Sequence, residues 1–400
     1  MQENKIKLGL KENWKQFTLL LVVNAFVGGM VGLERTILPE LAEEIFFLVN
    51  TSVVLTFIIV FGFTKAITNY FTGALADRIG RKNLLIIGWI VALPIPLILM
   101  YSEHWSWIIF ANVLLGINQG LTWSSTVVMK IDLVGEKQRG LAMGLNESFG
   151  YLAIALVAFS TGWLASEYGV RPYPFYQGIA FVVLGLLISI LFIKDTQQHV
   201  TAESKNIKGE LLHNIFWETT WKNRNLGSIS QAGFINNLND GMIWGLLPIV
   251  LADRGFELKS IAVIVAIYPA IWGLGQLVTG KLSDHFPKKS MLFIGMALQG
   301  IALILMFYAT SSFQFNILSV LLGLGTALVY PTFLAAIAQY THPSQRAQSI
   351  GIFRLWRDSG YAFGALTTIV ISRYFQIDVS ILLIGMLTIL SAVIIKIRMT

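Results

Sequence analysis

Arg354, Arg357, Asp358 and Tyr361 in "FRLWRDSGY" follow the spacing i, i+3, i+4, i+7 within an otherwise apolar run. On a helix they share one face. Guanidinium groups there can receive an anion or lock onto a carboxylate, and the three charges together would cost roughly 8–10 kcal/mol if they faced lipid. A second polar stripe, Asn236, Asn237, Asp240 and Trp244, runs through "QAGFINNLNDGMIWGLLP". A carboxylate withdrawn from water can carry a proton or neutralise a cation, because desolvation and opposite charge act on it in opposite directions. Two readings of each stripe stand: handling of substrate and protons, with Asp240 as the coupling group, or structural pairing of Asp240 with Arg354 or Arg357.

Such groups are informative because the rest of the chain is so apolar. Of 400 residues 55% are hydrophobic and 13% charged, about half the charged share of a soluble protein, and the mean hydropathy is +0.67. The expected class is an all-α polytopic membrane protein, since continuous apolar runs of roughly 20 residues suit spanning helices and not the alternation of a barrel. Zero cysteines exclude disulfides and thiolate metal sites. The five histidines, 104, 199, 213, 285 and 342, show no metal spacing, and no phosphate-binding loop is present, so no metal, no cofactor and no enzyme activity are expected.

Apolar runs predict twelve spans, near 14–38, 46–74, 83–101, 105–130, 139–165, 173–193, 223–250, 258–281, 289–309, 313–340, 346–371 and 379–396. The basic N-terminal segment "MQENKIKLGLKENWK" reads as the flank of an uncleaved first span. The polar interval 194–222 reads as a cytoplasmic linker between bundles at 1–193 and 223–400. Leu114–Gly116 returns at Leu321–Gly323, Gln138–Arg139 at Gln345–Arg346, Gly144 at Gly351 and Asp77 at Asp284, every one 207 residues on. An offset of six spans keeps both copies in one orientation, a parallel repeat of two six-helix bundles.

With the N-terminus inside, twenty-one basic residues fall on inner segments and four, Arg171, Arg254, Lys259 and Arg373, on outer ones. Both termini are thus expected in the cytoplasm, in the plasma membrane. The net charge of +7 becomes a topology signal facing anionic lipid, and nucleic acid is not an expected partner.

Between the second and third spans lies "GALADRIGRKN", and between the eighth and ninth its echo "GKLSDHFPKKS". A basic turn explains the lysines and arginines. It does not explain the fixed glycines and aspartate, which suit close helix approach and acceptance of N–H groups at a helix N-terminus. Here the chain resembles the major facilitator superfamily, whose signature G-x-L-A-D-R-x-G-R-K is matched by Gly73, Leu75, Ala76, Asp77, Arg78, Gly80, Arg81 and Lys82. The second copy keeps Gly280, Leu282, Asp284, Lys288 and Lys289 but has His285 and Pro287 in place of the pattern. The resemblance implies secondary transport by alternating access, with spans 1, 4, 7 and 10 lining a cavity. It also implies a cytoplasmic latch of Gly73, Asp77, Arg78, Gly80, Arg81, Gly280 and Asp284, in which Asp77 braces the inner end of span 11. Two features of proton-driven exporters are missing: Gly116 stands where they carry an arginine in R-x-x-Q-G, and the fifth span has no Gly-Pro pair.

Further polar groups within the spans complete an expected substrate and proton pathway: Asn24 and Arg35 in span 1, Asn118, Gln119 and Trp123 in span 4, Glu147 in span 5, Trp272 and Gln276 in span 8, and Tyr330 in span 10. Glu147 maps by the 207 offset onto Arg354, opposite in sign. Lys65 and Asn69 lie four apart in span 2, and Tyr268, Trp272 and Gln276 at i, i+4, i+8 in span 8. Each aromatic also reads as packing or an interface anchor. The expectation is a monomeric exporter of a small organic compound driven by proton exchange. Uptake of a small, possibly anionic solute and a non-transporting membrane sensor are the alternatives.

Overall fold

The computed structural model describes residues 6–35, 37–48, 56–205, 211–371, 374 and 378–400. Every element of any length is helical. The helices are α1 (Trp14–Arg35), α2 (Ile37–Glu44), α3 (Thr56–Ile79), α4 (Arg81–Ala92), α5 (Pro94–Tyr101), α6 (Trp105–Val134), α7 (Arg139–Tyr168) and α8 (Tyr176–Leu191). They continue as α9 (Gln197–Ser204), α10 (Arg224–Asp253), α11 (Leu258–His285), α12 (Lys288–Tyr308), α13 (Ser312–Tyr340), α14 (Pro343–Ile371) and α15 (Val379–Arg398).

Among the described residues nine helical stretches are long and apolar enough to cross a membrane. The helices α6, α10 and α14, of 30, 30 and 29 residues, fall outside that set. They are long enough, but they carry the amides and charges read above as a pathway, which lowers their apolar content. The expected third span is divided between α4 and α5 at Leu93, since proline at position 94 cannot continue the hydrogen-bond ladder.

Two compact units result. One gathers Met1–Lys137, Ser148–Glu210 and His342–Gly351; the other gathers Gln138–Glu147, Leu211–Thr341 and Ile352–Thr400. The N-terminal ends of α7 and α14 therefore pack with helices from the opposite half of the sequence.

Glycine allows this. In the first unit, a Cβ at Gly73 of α3 would lie 2.5 Å from the Ala347 carbonyl oxygen and 2.8 Å from the Gly351 Cα. In the second, a Cβ at Gly280 of α11 would lie 2.7 Å from both the Gly140 carbonyl oxygen and the Gly144 Cα. The obstacles are backbone atoms, which cannot rotate aside. Gly80 serves a turn instead, carrying the chain from α3 into α4 at φ 90°, where a side chain would be strained.

Gly280→Ala should therefore lower the melting temperature of the purified protein, by about 1–3 kcal/mol of overpacking. Gly273→Ala, on the same helix where a Cβ meets nothing within 4 Å, should leave it unchanged or raise it through better helix propensity. Equal effects at the two sites would refute the close crossing.

Candidate functional site

The second unit assembles a charged and aromatic cluster from four helices. Tyr330 of α13 donates its hydroxyl to the Asn237 Oδ1 of α10 at 3.1 Å, and the Asn237 Nδ2 donates to the Asp358 Oδ1 of α14 at 3.3 Å. Arg357 donates to the same carboxylate oxygen through Nε at 2.9 Å and approaches it with Nη2 at 2.8 Å. Its guanidinium lies 5.2 Å from the Tyr330 ring centroid and 5.9 Å from that of Phe353. Tyrosine, amide, carboxylate and guanidinium thus close a ring, all of them buried. Closure matters because each polar group loses water on burial and would otherwise cost a full desolvation penalty.

From Tyr330 an aromatic ladder leads along α11. The Trp272 and Tyr330 ring centroids are 4.9 Å apart, and Tyr268 stacks on Trp272 at 5.9 Å with planes 22° apart. Tyr268 donates its hydroxyl to the Asp240 Oδ1 in a short hydrogen bond and stands 3.3 Å from the Thr326 Oγ1. So Asp240 is bound by a phenol, and the hydrogen-bonded carboxylate partner of Arg357 is its neighbour Asp358. Alongside, Asn236 and Gln276 are buried, and neither side-chain amide has a hydrogen-bond partner among the described residues. Buried amides are nearly always satisfied, so these four donor and acceptor atoms suit water or a bound polar molecule. Glu147 is also buried in this unit and accepts from the Asn146 Nδ2 at 2.7 Å. Arg354 is fully buried.

In the first unit the expected pathway residues divide by what they touch. Asn118 donates to the Gly88 carbonyl at 2.9 Å and Gln119 to the Val27 carbonyl at 2.7 Å, so these amides tie α6 to α4 and α1. Asn24 accepts from Thr126 at 3.1 Å. Trp123 packs edge-on to Tyr151 with centroids 5.6 Å apart. The side chains of Arg35 and Trp244 lie outside the described residues.

At the turn from α3 to α4 the signature residues form an ion network. Arg81 pairs with Asp77 at 2.9 Å and with Asp132 of α6 at 3.3 Å, and it also hydrogen-bonds Gln197. Asp132 accepts from Thr196 at 2.8 Å and lies 3.7 Å from Arg346. Arg346 grips Glu203 of α9 with two bonds of 2.9 Å. Arg78 is exposed. In the second unit Asp284 accepts from the backbone N–H of Gly140 at 2.6 Å and of Leu141 at 2.9 Å, the helix-N-terminus contact that an anion at this place favours.

Sequence reasoning did not single out Asp132, Thr196, Gln197 or Glu203. No local spacing joins them, and the interval 194–222 reads as a plain linker although α9 supplies two members of this network, Gln197 and Glu203. Tyr268 was visible in the i, i+4, i+8 row with Trp272 and Gln276, but its bond to Asp240 spans 28 positions.

The family model described as Major Facilitator Superfamily matches residues 19–232 and again residues 229–399. A multidrug resistance protein, MdtG of Escherichia coli O1:K1 / APEC, is 26% identical over 372 residues, covering 90% of this chain and 88% of that one. Among solved structures, the human organic anion transporter MFSD10 (TETRAN) superposes with a TM-score of 0.80 at 15% identity, covering 96% of this chain and 99% of that one. FucP, in an outward conformation, superposes at 0.75 and 15% identity, covering 96% and 98%. These two likenesses concern the fold alone. With both halves of the chain matched, its apolar helices and its polar core fall into place: the chain belongs to the Major Facilitator Superfamily, as a multi-pass secondary transporter of small molecules working by alternating access and not an enzyme.

Proposed function

We propose that this transporter exports a small organic compound in exchange for protons. The observation that carries the reading is the buried Asp240–Tyr268 pair, on the same two helices as the amides of Asn236 and Gln276, which have no hydrogen-bond partner among the described residues. A carboxylate held by one phenol can take up a proton and release its partner, which couples protonation to the aromatic ladder that an apolar compound would stack on. Export as the direction is supported by the relatives named multidrug resistance proteins. In this reading α6, α10 and α14 join the nine apolar stretches to make twelve spans in two like-oriented bundles, 1–193 and 223–400. The linker 194–222 and both termini are cytoplasmic, the transporter sits in the plasma membrane, and it works as a monomer.

The same reading gives Gly73, Asp77, Arg78, Gly80, Arg81, Gly280 and Asp284 the role of a cytoplasmic latch. The two glycine crossings and the Asp284 cap hold short helix ends whose release would accompany each transport cycle. The remaining expected residues, Asn24, Arg35, Glu147, Arg354, Arg357 and Asp358, belong to the pathway and its supports. Asn118 and Gln119 act through the helix carbonyls that they hold.

Proteoliposomes with a trapped pH-sensitive dye test the coupling. Addition of an exported compound, found by thermal-shift screening of aromatic antimicrobials, should release protons in the wild type and fall to the empty-vesicle rate in Asp240→Asn. Proton movement that persists in Asp240→Asn would refute the assignment, and compound flux unaffected by collapsing the pH gradient would refute proton exchange altogether.

Asp284→Asn separates the latch from the binding site. It should slow transport severalfold while leaving the dissociation constant of the same compound unchanged; an unchanged rate, or a weakened affinity at full rate, would refute the latch.

A further inference from the structure

One end of the second unit carries a surface that neither the aromatic ladder nor the ion network includes. The helical stretch 215–222 precedes α10 and folds back on it, with Ser230 donating its hydroxyl to the Thr219 carbonyl at 2.7 Å. From α14 the Trp356 Nε1 donates to the Thr220 Oγ1 at 3.0 Å. A Cβ at Gly227 would lie 2.5 Å from the Trp221 carbonyl oxygen, so glycine lets the stretch lie against the first turn of α10. Thr219 takes the buried side. Trp217 and Trp221, four apart, are left 59% and 48% exposed.

The last turn of α15 closes on the same place. Arg398 lays its guanidinium 3.8 Å from the Trp221 ring centroid and donates through Nη2 to the Trp221 carbonyl at 2.6 Å. The Thr400 backbone N–H donates to the Asn225 Oδ1 at 2.8 Å. Within two residues of these contacts Lys222, Arg224 and Lys396 are all exposed, and the Lys396 Nζ lies 5.3 Å from the Phe293 ring centroid. Against four cations, residues 215–225 and 396–400 hold one carboxylate, Glu218, 3.8 Å from Lys222. Such a loose surface pair neutralises little.

The opposite end of the same unit shows what an aromatic rim alone requires. There Tyr308, Phe313 and Tyr374 are exposed, and the cation beside them, Arg254, is matched by protein: it pairs with Asp378 at 3.1 Å and donates to the carbonyls of Ala309 and Phe307 at 2.6 Å and 3.0 Å. Exposed rings do not need surplus charge. At the Trp217 and Trp221 end the surplus is present.

We infer that Trp217, Trp221, Lys222 and Arg398 seat the headgroup of an anionic phospholipid, with Arg224 and Lys396 adding to the field that draws it. Indole rings favour the boundary between hydrocarbon and water over either phase, so two exposed tryptophans beside lysine and arginine set this surface at headgroup depth. A guanidinium stacked on a ring keeps its charge and presents its remaining N–H groups at the edge, the geometry in which arginine binds phosphate. A zwitterionic lipid brings its own ammonium to its phosphate. The excess of cations therefore selects a lipid of net negative charge, and the indoles select a lipid over a free anion, because only a lipid brings acyl chains for them to meet.

Native mass spectrometry of the purified full-length protein, titrated with phosphatidylglycerol and with phosphatidylcholine of the same acyl chains, tests the inference. The first phosphatidylglycerol should bind about fivefold or more tightly than the first phosphatidylcholine. Arg398→Gln should weaken it about fivefold, and Arg398→Gln combined with Lys222→Gln roughly 25-fold, with phosphatidylcholine unchanged in both. Lys137→Gln removes an exposed cation of the first unit and should change neither lipid. Should Arg398→Gln not yield folded protein, Lys222→Gln gives the reading by itself, since that side chain is 74% exposed. Equal affinity for the two lipids, unchanged phosphatidylglycerol binding in the folded variants, an equal loss in Lys137→Gln, or displacement of the lipid by equimolar inorganic phosphate overturns the site.

Discussion

A charge inside a bilayer has no water to solvate it, and the interior of this transporter is arranged around that deficit. Arg357 is met by a carboxylate, an aromatic face and, through that carboxylate, an amide that in turn takes a tyrosine hydroxyl. Asp240 is met by a phenol. These partners come from several helices, so satisfying the charges also fixes the mutual positions of α10, α11, α13 and α14. Removing one member would leave another buried and unsatisfied, which costs more than the bond itself contributes.

Desolvation also explains the crowding around the signature residues. Arg81 and Arg346 are both 1% exposed, and between them stand Asp77, Asp132 and Glu203. Burying guanidiniums is tolerable only when their donors are filled in a planar, two-point fashion, which Glu203 does for Arg346. Since Glu203 belongs to α9, that helix is part of the ion network and not simply a tether.

Much of this was legible from residue order, and the boundary of legibility has a physical cause. Apolar runs define helices because lipid leaves no other way to satisfy the backbone, so α1, α3 and α15 were readable directly. The 207-residue echo was readable because a parallel repeat preserves local motifs, and the glycines it marked, Gly73 and Gly280, are those at the two close crossings. The stripe Asn236, Asn237, Asp240 was legible as polar within apolar, but its partners were not. A helix face shows which way a group points and says nothing of what waits there: Asp240 admits Arg354 or Arg357 as partners on charge, and it also takes a hydrogen bond from Tyr268 while the Arg357 charge acts on it. The bonds that Asn118 and Gln119 make to backbone carbonyls leave no trace in residue type.

The two repeats have kept one scaffold and distributed charge differently on it. At the ring of α6 and α13 the first carries Trp123 and the second Tyr330; the cation on it comes from α3 in one and from α14 in the other. In the second the cation is coupled tightly to an adjacent carboxylate, and a further carboxylate, Asp240, is bound by a phenol that stacks into the same ladder. Equivalent helices thus present chemically different faces: one has an ammonium near an indole, and the other a guanidinium–carboxylate pair beside a carboxylate held by a phenol. Gene duplication accounts for the shared glycine crossings, since these serve packing in both copies. The divergence lies at the rings, cations and carboxylates, where each buried polar group must find its own partners.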